Sequence, residues 1–84
     1  MAKSSKMMID GKYLKLSKRE TKVLEMILND YKNREIAEEL KLSDKTVSTY
    51  KLRICRKLEV KGIIGMYLFN QKYKLVNVQE VSIR

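Results

Sequence analysis

A chain of 84 residues makes one small domain with a thin core, and its 19 Lys and Arg against 10 Asp and Glu give a formal net charge of +9 and a pI near 9.8, the footprint of a protein that meets a polyanion. With no histidine, His-based acid and base catalysis, Ser-His and Cys-His nucleophiles and histidine metal sites are excluded, and the isolated Gly11, Gly62 and Gly65 form neither a Walker loop nor a dinucleotide fingerprint. The single cysteine, Cys55, cannot make an internal disulfide or a thiolate cluster and fits a reducing cytoplasm, so the expectation is a protein that is not an enzyme and carries no cofactor or metal.

The chain has no internal repeat, low-complexity segment or proline. Residues 6–16 carry Asp10-Gly11 between apolar runs, a hairpin signal because both central residues of a type I′ turn need positive φ. Pairing Ile9 with Lys12 places Met7, Ile9, Leu14 and Leu16 on one face, opposite Lys6, Met8, Tyr13 and Lys15. So short a ribbon needs a surface to dock on, which favours a brace on the helices over a DNA-touching wing.

A first helix is predicted from Lys18 to Leu28. Ser17 and Glu20 form a capping box, the serine accepting from an early backbone N–H while the glutamate returns to the cap N–H. Glu20 therefore reads as a cap and not as an active acid. Val23, Leu24, Ile27 and Leu28 make one buried stripe, and Asn29-Asp30 supply a left-handed stop. A second helix, Arg34 to Leu40, takes Asn33 as its N-cap and buries Ile36, Ala37 and Leu40. Ala37 is small where two helices must cross closely. Lys41 occupies the following turn, and Leu42 and Val47 staple the start of a third helix around the Ser43 cap.

The third helix, Asp44 to Leu58, is basic. At about 100° per residue, Val47, Tyr50, Ile54 and Leu58 fall within one arc of roughly 80°, the core face. Opposite lie Lys45, Ser48, Thr49, Leu52, Arg53 and Arg56. No acidic residue occurs between Asp44 and Glu59, so a phosphate backbone meets no repulsion there, and Asp44 itself sits in the first turn where the helix dipole favours a carboxylate. A short amphipathic helix, a tight turn and a longer basic helix form the helix-turn-helix layout that lays its second helix in a DNA major groove. Cys55, beside that arc, reads as a small half-buried hydrophobe and not as a reactive thiolate.

A fourth helix, Ile63 to Asn70, is apolar on nearly every side. Ile63, Met66, Tyr67 and Phe69 cannot all face a small core, and the surplus marks an interface with a second copy. The tail, YKLVNVQEVSIR, is rich in β-branched residues and is read as a strand able to pair with the N-terminal ribbon. MAKSSKMMID lacks a hydrophobic signal core, and the apolar run from Ile63 to Phe69 is too short to span a bilayer, so a cytoplasmic, nucleoid-associated protein without a membrane partner is expected.

Residues 16–69 resemble the LuxR/NarL/FixJ-type, GerE-like DNA-binding domain. The shared pattern runs through Leu16, Arg19, Glu20, Val23, Leu24, Asn33, Glu35, Ile36, Ala37, Leu40, Ser43, Thr46, Val47, Ile54, Lys57, Leu58 and Val60, with the block REIAEELKLSDKTVSTY at its centre. The resemblance implies a four-helix fold in which residues aligned with Ser48, Thr49, Leu52 and Arg53 face base edges. Those aligned with Lys45, Thr46, Lys51 and Arg56 lie near phosphates, and the fourth helix makes a homodimer. Departures fall at Tyr50, where the family has histidine, at Leu52, where it has a polar residue, and at Asp30 and Glu59, where it has glycine. Gly62 and Ile63 replace its usual serine and arginine.

The expected architecture is mainly α, with residues 1–15 an arm and β-hairpin, 16–70 the helix-turn-helix domain and 71–84 a tail that can form a strand. The expected function is a bacterial or phage transcription regulator that binds a pseudo-palindromic site in double-stranded DNA as a homodimer. Family members usually join this module to a receiver or ligand-binding domain, and none fits in residues 1–15, leaving control to abundance or a partner. The alternative is an interaction module that heterodimerises with a LuxR-type regulator and antagonises it. RNA polymerase or another LuxR-type regulator is the further partner this reading admits.

Overall fold

Four helices carry the fold of the computed structural model, which describes residues 5–9 and 12–79 of the chain and side chains from Leu16 to Gln79. In chain order the elements are β1 (Ser5–Ile9), β2 (Lys12–Leu16), α1 (Lys18–Leu28), α2 (Asn33–Leu40), α3 (Asp44–Leu58) and α4 (Ile63–Tyr73). The two strands pair antiparallel, setting Met7 against Leu14 and Ile9 against Lys12, and β2 lies against α1 and α3. The Asp10-Gly11 turn and the side-chain faces of the ribbon before Leu16 lie outside the described residues. Leu16 itself is buried.

Local chemistry sets the helix ends. At α1 the Ser17 hydroxyl accepts from the Glu20 N–H at 3.0 Å and the Glu20 carboxylate accepts from the Ser17 N–H at 2.8 Å, while Asp30 takes the left-handed backbone with φ 72°. The Asn33 cap expected for α2 is corrected, since the helix begins one residue earlier. Lys32 is its cap, the Lys32 N–H donates to Glu35 Oε1 at 2.8 Å, and the already helical Asn33 turns its amide to α3. Lys41 and Glu59 close α2 and α3 in the left-handed region, both with φ 59°. In each case the next N–H reaches back into the last turn, Leu42 to the Ala37 carbonyl at 2.8 Å and Val60 to that of Cys55 at 3.0 Å. Ser43 caps α3 by accepting from the Thr46 N–H at 3.0 Å.

The core runs between the helices. Val23 and Leu24 of α1, Ile36 of α2, Val47 and Ile54 of α3 and Met66 of α4 are its fully buried side chains. Ala37 is buried where α2 meets α3, and Tyr50, expected among the core residues of α3, is half-buried at its margin. Gly65 lets α4 pass close to the turn after α3, because a Cβ there would stand 2.8 Å from Cβ of Val60. Arg19 ties α1 to the end of α2 by donating from Nη1 to the Leu40 carbonyl at 3.2 Å.

The strand expected in residues 71–84 does not form among the described residues. Helix α4 continues to Tyr73, and residues 75–79 run back over α1 and α4 without a sheet partner. Two asparagine amides take the backbone groups that a neighbouring strand would have taken. Asn70 donates to the Val76 carbonyl at 3.0 Å and accepts from the Val76 N–H at 2.9 Å, and Asn29 donates to the Asn77 carbonyl at 3.0 Å and accepts from the Gln79 N–H at 2.7 Å. Leu75, Val76 and Val78 pack on the core beneath. Residues 80–84 lie outside the described residues.

Candidate nucleic-acid interface

The apolar stripe of α3 points inward, so its opposite stripe is held outward. Lys45, Ser48, Thr49, Leu52, Arg53 and Arg56 are exposed, and Thr46 and Lys51 are half-buried at the edges of that face. Leu52, 62% exposed, is a large apolar side chain in the middle of a basic surface. Tertiary contacts then decide what each polar group is free to do. The Asn33 amide donates to the Ser48 hydroxyl at 3.1 Å, which fills an acceptor position on that oxygen and leaves its proton to be donated elsewhere. The Thr49 hydroxyl bonds the Lys45 carbonyl one turn back at 3.1 Å. The Thr46 hydroxyl accepts from Ser43 at 2.9 Å and is thereby part of the cap.

Arg53 stands on the flank facing α1. Its guanidinium lies 5.3 Å from the Tyr50 ring centroid, and Nη1 is 3.8 Å from Glu20 Oε2. The same carboxylate accepts from Lys57 Nζ at 2.8 Å. Glu20 is only 3% exposed, so one buried carboxylate joins the Ser17 cap, Lys57 and Arg53. Burial pushes the Glu20 carboxyl up, but the hydrogen bonds from Lys57 and Ser17 and the charges of Lys57 and Arg53 outweigh it and hold the group below its ordinary value. Sequence reasoning assigns Glu20 a cap role only and misses Lys57. The signal is nonetheless present: Glu20 is in line with Val23, Leu24 and Ile27 on the buried stripe of α1, where a carboxylate requires a cation. Cys55 is half-buried, and burial raises its thiol above the ordinary value against the lowering charge of Lys51.

The patch expected on α4 divides. Met66 is 1% exposed and belongs to the core, and Phe69 is half-buried against that core with its ring 4.7 Å from the Tyr73 ring. Met66 is therefore closed to a partner, while Phe69 keeps only part of its surface open. Ile63 and Tyr67 are exposed, and the residues beside them, Ile64 and Leu68, are more so at 76% and 60%. The open stripe is therefore Ile63, Ile64, Tyr67 and Leu68. No described helix is long and apolar enough to cross a membrane.

A short helix, a tight turn and a capped basic helix held outward by its own core stripe define a helix-turn-helix DNA-binding domain. The GerE family, described as bacterial regulatory proteins of the luxR family, matches residues 14–69, and the chain belongs to it. The DNA-binding transcriptional activator EvgA of Escherichia coli strain K12 is 47% identical over 60 residues, which are 71% of this chain and 29% of EvgA. The response regulator UvrY of the same strain is 33% identical over 73 residues, 87% of this chain and 34% of UvrY. The chain thus spans about a third of the length of these curated relatives. Among solved structures, the transcription factor GerE has a TM-score of 0.70 at 26% identity, covering 76% of this chain and 96% of that one. VqmA of Vibrio cholerae, described as a LuxR-type receptor whose structure is a dimer, has a TM-score of 0.71 at 27% identity over 74% of this chain and 28% of VqmA. Residues 14–69 are a LuxR-type DNA-binding domain of the kind these transcription regulators carry.

Proposed function

We propose that this chain regulates transcription by binding a pseudo-palindromic site in double-stranded DNA as a homodimer, with α3 in the major groove. The observation that carries the reading is the outer face of α3, exposed along its length and free of carboxylates from Lys45 to Leu58. In that groove Ser48, Thr49, Leu52 and Arg53 meet base edges, while Lys45, Thr46, Lys51 and Arg56 serve the phosphate walls. The lysines and arginines supply the salt-dependent share of affinity.

The exposed stripe of Ile63, Ile64, Tyr67 and Leu68 is the surface for the second copy, since contiguous apolar area of this kind marks an interface. A twofold axis through α4 sets two recognition helices about 34 to 36 Å apart, one DNA turn. The solved structure of VqmA is of a dimer, which supports pairing of two copies. The N-terminal ribbon acts as a brace, because β2 lies against α1 and α3. Selection of bound duplexes from a random pool tests the whole reading: a palindromic consensus is expected, and binding without sequence preference would refute it.

A further inference from the structure

We infer that the recognition helix reads its half-site through the C5-methyl groups of thymines, using an apolar pair formed by the Thr49 methyl and Leu52. The inference rests on the placement of α3 in the major groove proposed above. Thr49 and Leu52 are three residues apart and adjacent on the outer face, and both are exposed. With Lys45 and Arg56 they form a single line at i, i+4, i+7 and i+11. That line has cations at its two ends, about 16 Å apart along the axis, and apolar groups at its centre. A major groove about 12 Å wide places phosphates where the ends of such a line reach and base edges where its centre rests.

The hydroxyl proton nearest the centre is already committed. Because the Thr49 hydroxyl is bonded to the Lys45 carbonyl at 3.1 Å, its methyl is the group left to face outward contacts. Ser48 is held on the α2 flank by Asn33, and Arg53 on the α1 flank by Glu20 and Tyr50. Helix α3 contains neither asparagine nor glutamine, so it cannot make the bidentate contact that selects adenine. What a half-site can offer to an isobutyl group beside a methyl is the apolar group of the major groove, and among the four bases only thymine carries one. Leu52 is left 62% exposed in the free protein, and contact with such a partner removes apolar surface from water.

The test replaces thymine by deoxyuridine, which pairs identically and lacks only the methyl. Duplexes selected from a random pool by the full chain are resynthesised with deoxyuridine at each thymine of the half-site in turn, and binding is measured by fluorescence anisotropy for the wild type and Leu52→Ala. Wild-type affinity is expected to fall about fourfold for each recognised methyl removed, and about fifteenfold when one such thymine is replaced in both half-sites. Leu52→Ala, at an exposed helical position where alanine is well tolerated, should bind more weakly but treat the two duplexes alike within about twofold. A selected consensus without thymine overturns the inference, as does a uracil penalty of equal size in both proteins, which would belong to the DNA itself. Wild-type protein that prefers the selected site to a scrambled one yet is indifferent to uracil overturns methyl readout and leaves major-groove binding standing. Absence of any sequence preference overturns both.

Discussion

Glu20→Gln removes one negative charge from beneath α3 while keeping the shape of the side chain. In the wild type the carboxylate is 3% exposed and accepts from the Ser17 N–H and from Lys57 Nζ, each at 2.8 Å, with Arg53 at 3.8 Å. The amide can still accept from Ser17, so the capping bond is largely retained. What disappears is the ionic character of the Lys57 bond and the attraction to Arg53. Removing one partner of a fully buried pair costs about 3 to 5 kcal/mol. Here both cations keep an escape to water, at 38% and 50% side-chain exposure, so a loss of about 1 to 2 kcal/mol is expected. For a domain of this size that lowers Tm by roughly 5 to 15 °C. The sign with pH follows from the lowered Glu20 carboxyl: the stabilisation is fully present above its ordinary value of 4.5 and is lost as pH falls through the lower folded value. Urea titrations followed by circular dichroism should therefore show a gap between wild type and Glu20→Gln that is constant near neutral pH and closes below about pH 4. A variant within about 0.3 kcal/mol of wild type at pH 7, or a gap that widens in acid, would refute the account of Glu20 as a charged anchor.

Three further outcomes follow from the same geometry. Log affinity for DNA should fall linearly with log salt, and Arg56→Ala should make the slope shallower by about 0.9 for each phosphate it no longer neutralises, whereas a slope indifferent to salt contradicts phosphate binding. Leu68→Glu, placed on the exposed stripe of α4, should give a folded monomer by light scattering and circular dichroism with much weaker binding to the full palindrome than the wild type shows; a wild type that stays monomeric on DNA would remove the α4 dimer. Asn70→Ala deletes both side-chain bonds to Val76 from a residue only 6% exposed, so a loss of about 2 kcal/mol in urea titration and faster hydrogen exchange at the Val76 amide are expected. Unchanged stability would show that the tail does not brace α4.

Most of the helical frame is legible in the chain because its determinants are local. The serine and glutamate of the first capping box are three residues apart, the Ser43 cap bonds an N–H three residues on, and the stripes of α1 and α3 repeat at the helical period, so each can be read without knowing where the rest of the molecule lies. The outward face of α3 follows from its inward one by subtraction. Tertiary structure alone decides what is not periodic. Helix α4 is apolar around most of its circumference, and only the side on which α1 and the tail pack determines that Met66 is buried while Ile64 and Leu68 are open. Asn33 reads as a cap until the helix starts one residue earlier and frees its amide for Ser48. Asn29 and Asn70 look like surface amides until residues 75–79 return to them, and the β-branched tail then needs no strand partner. The physical reason is common to the polar cases. Polar groups pair with whatever folding brings within hydrogen-bond reach, buried ones such as Glu20 of necessity, and the partners here lie 37 residues away for Glu20 and Lys57 and up to 50 for Asn29 and Gln79, beyond any pattern that neighbouring residues can encode.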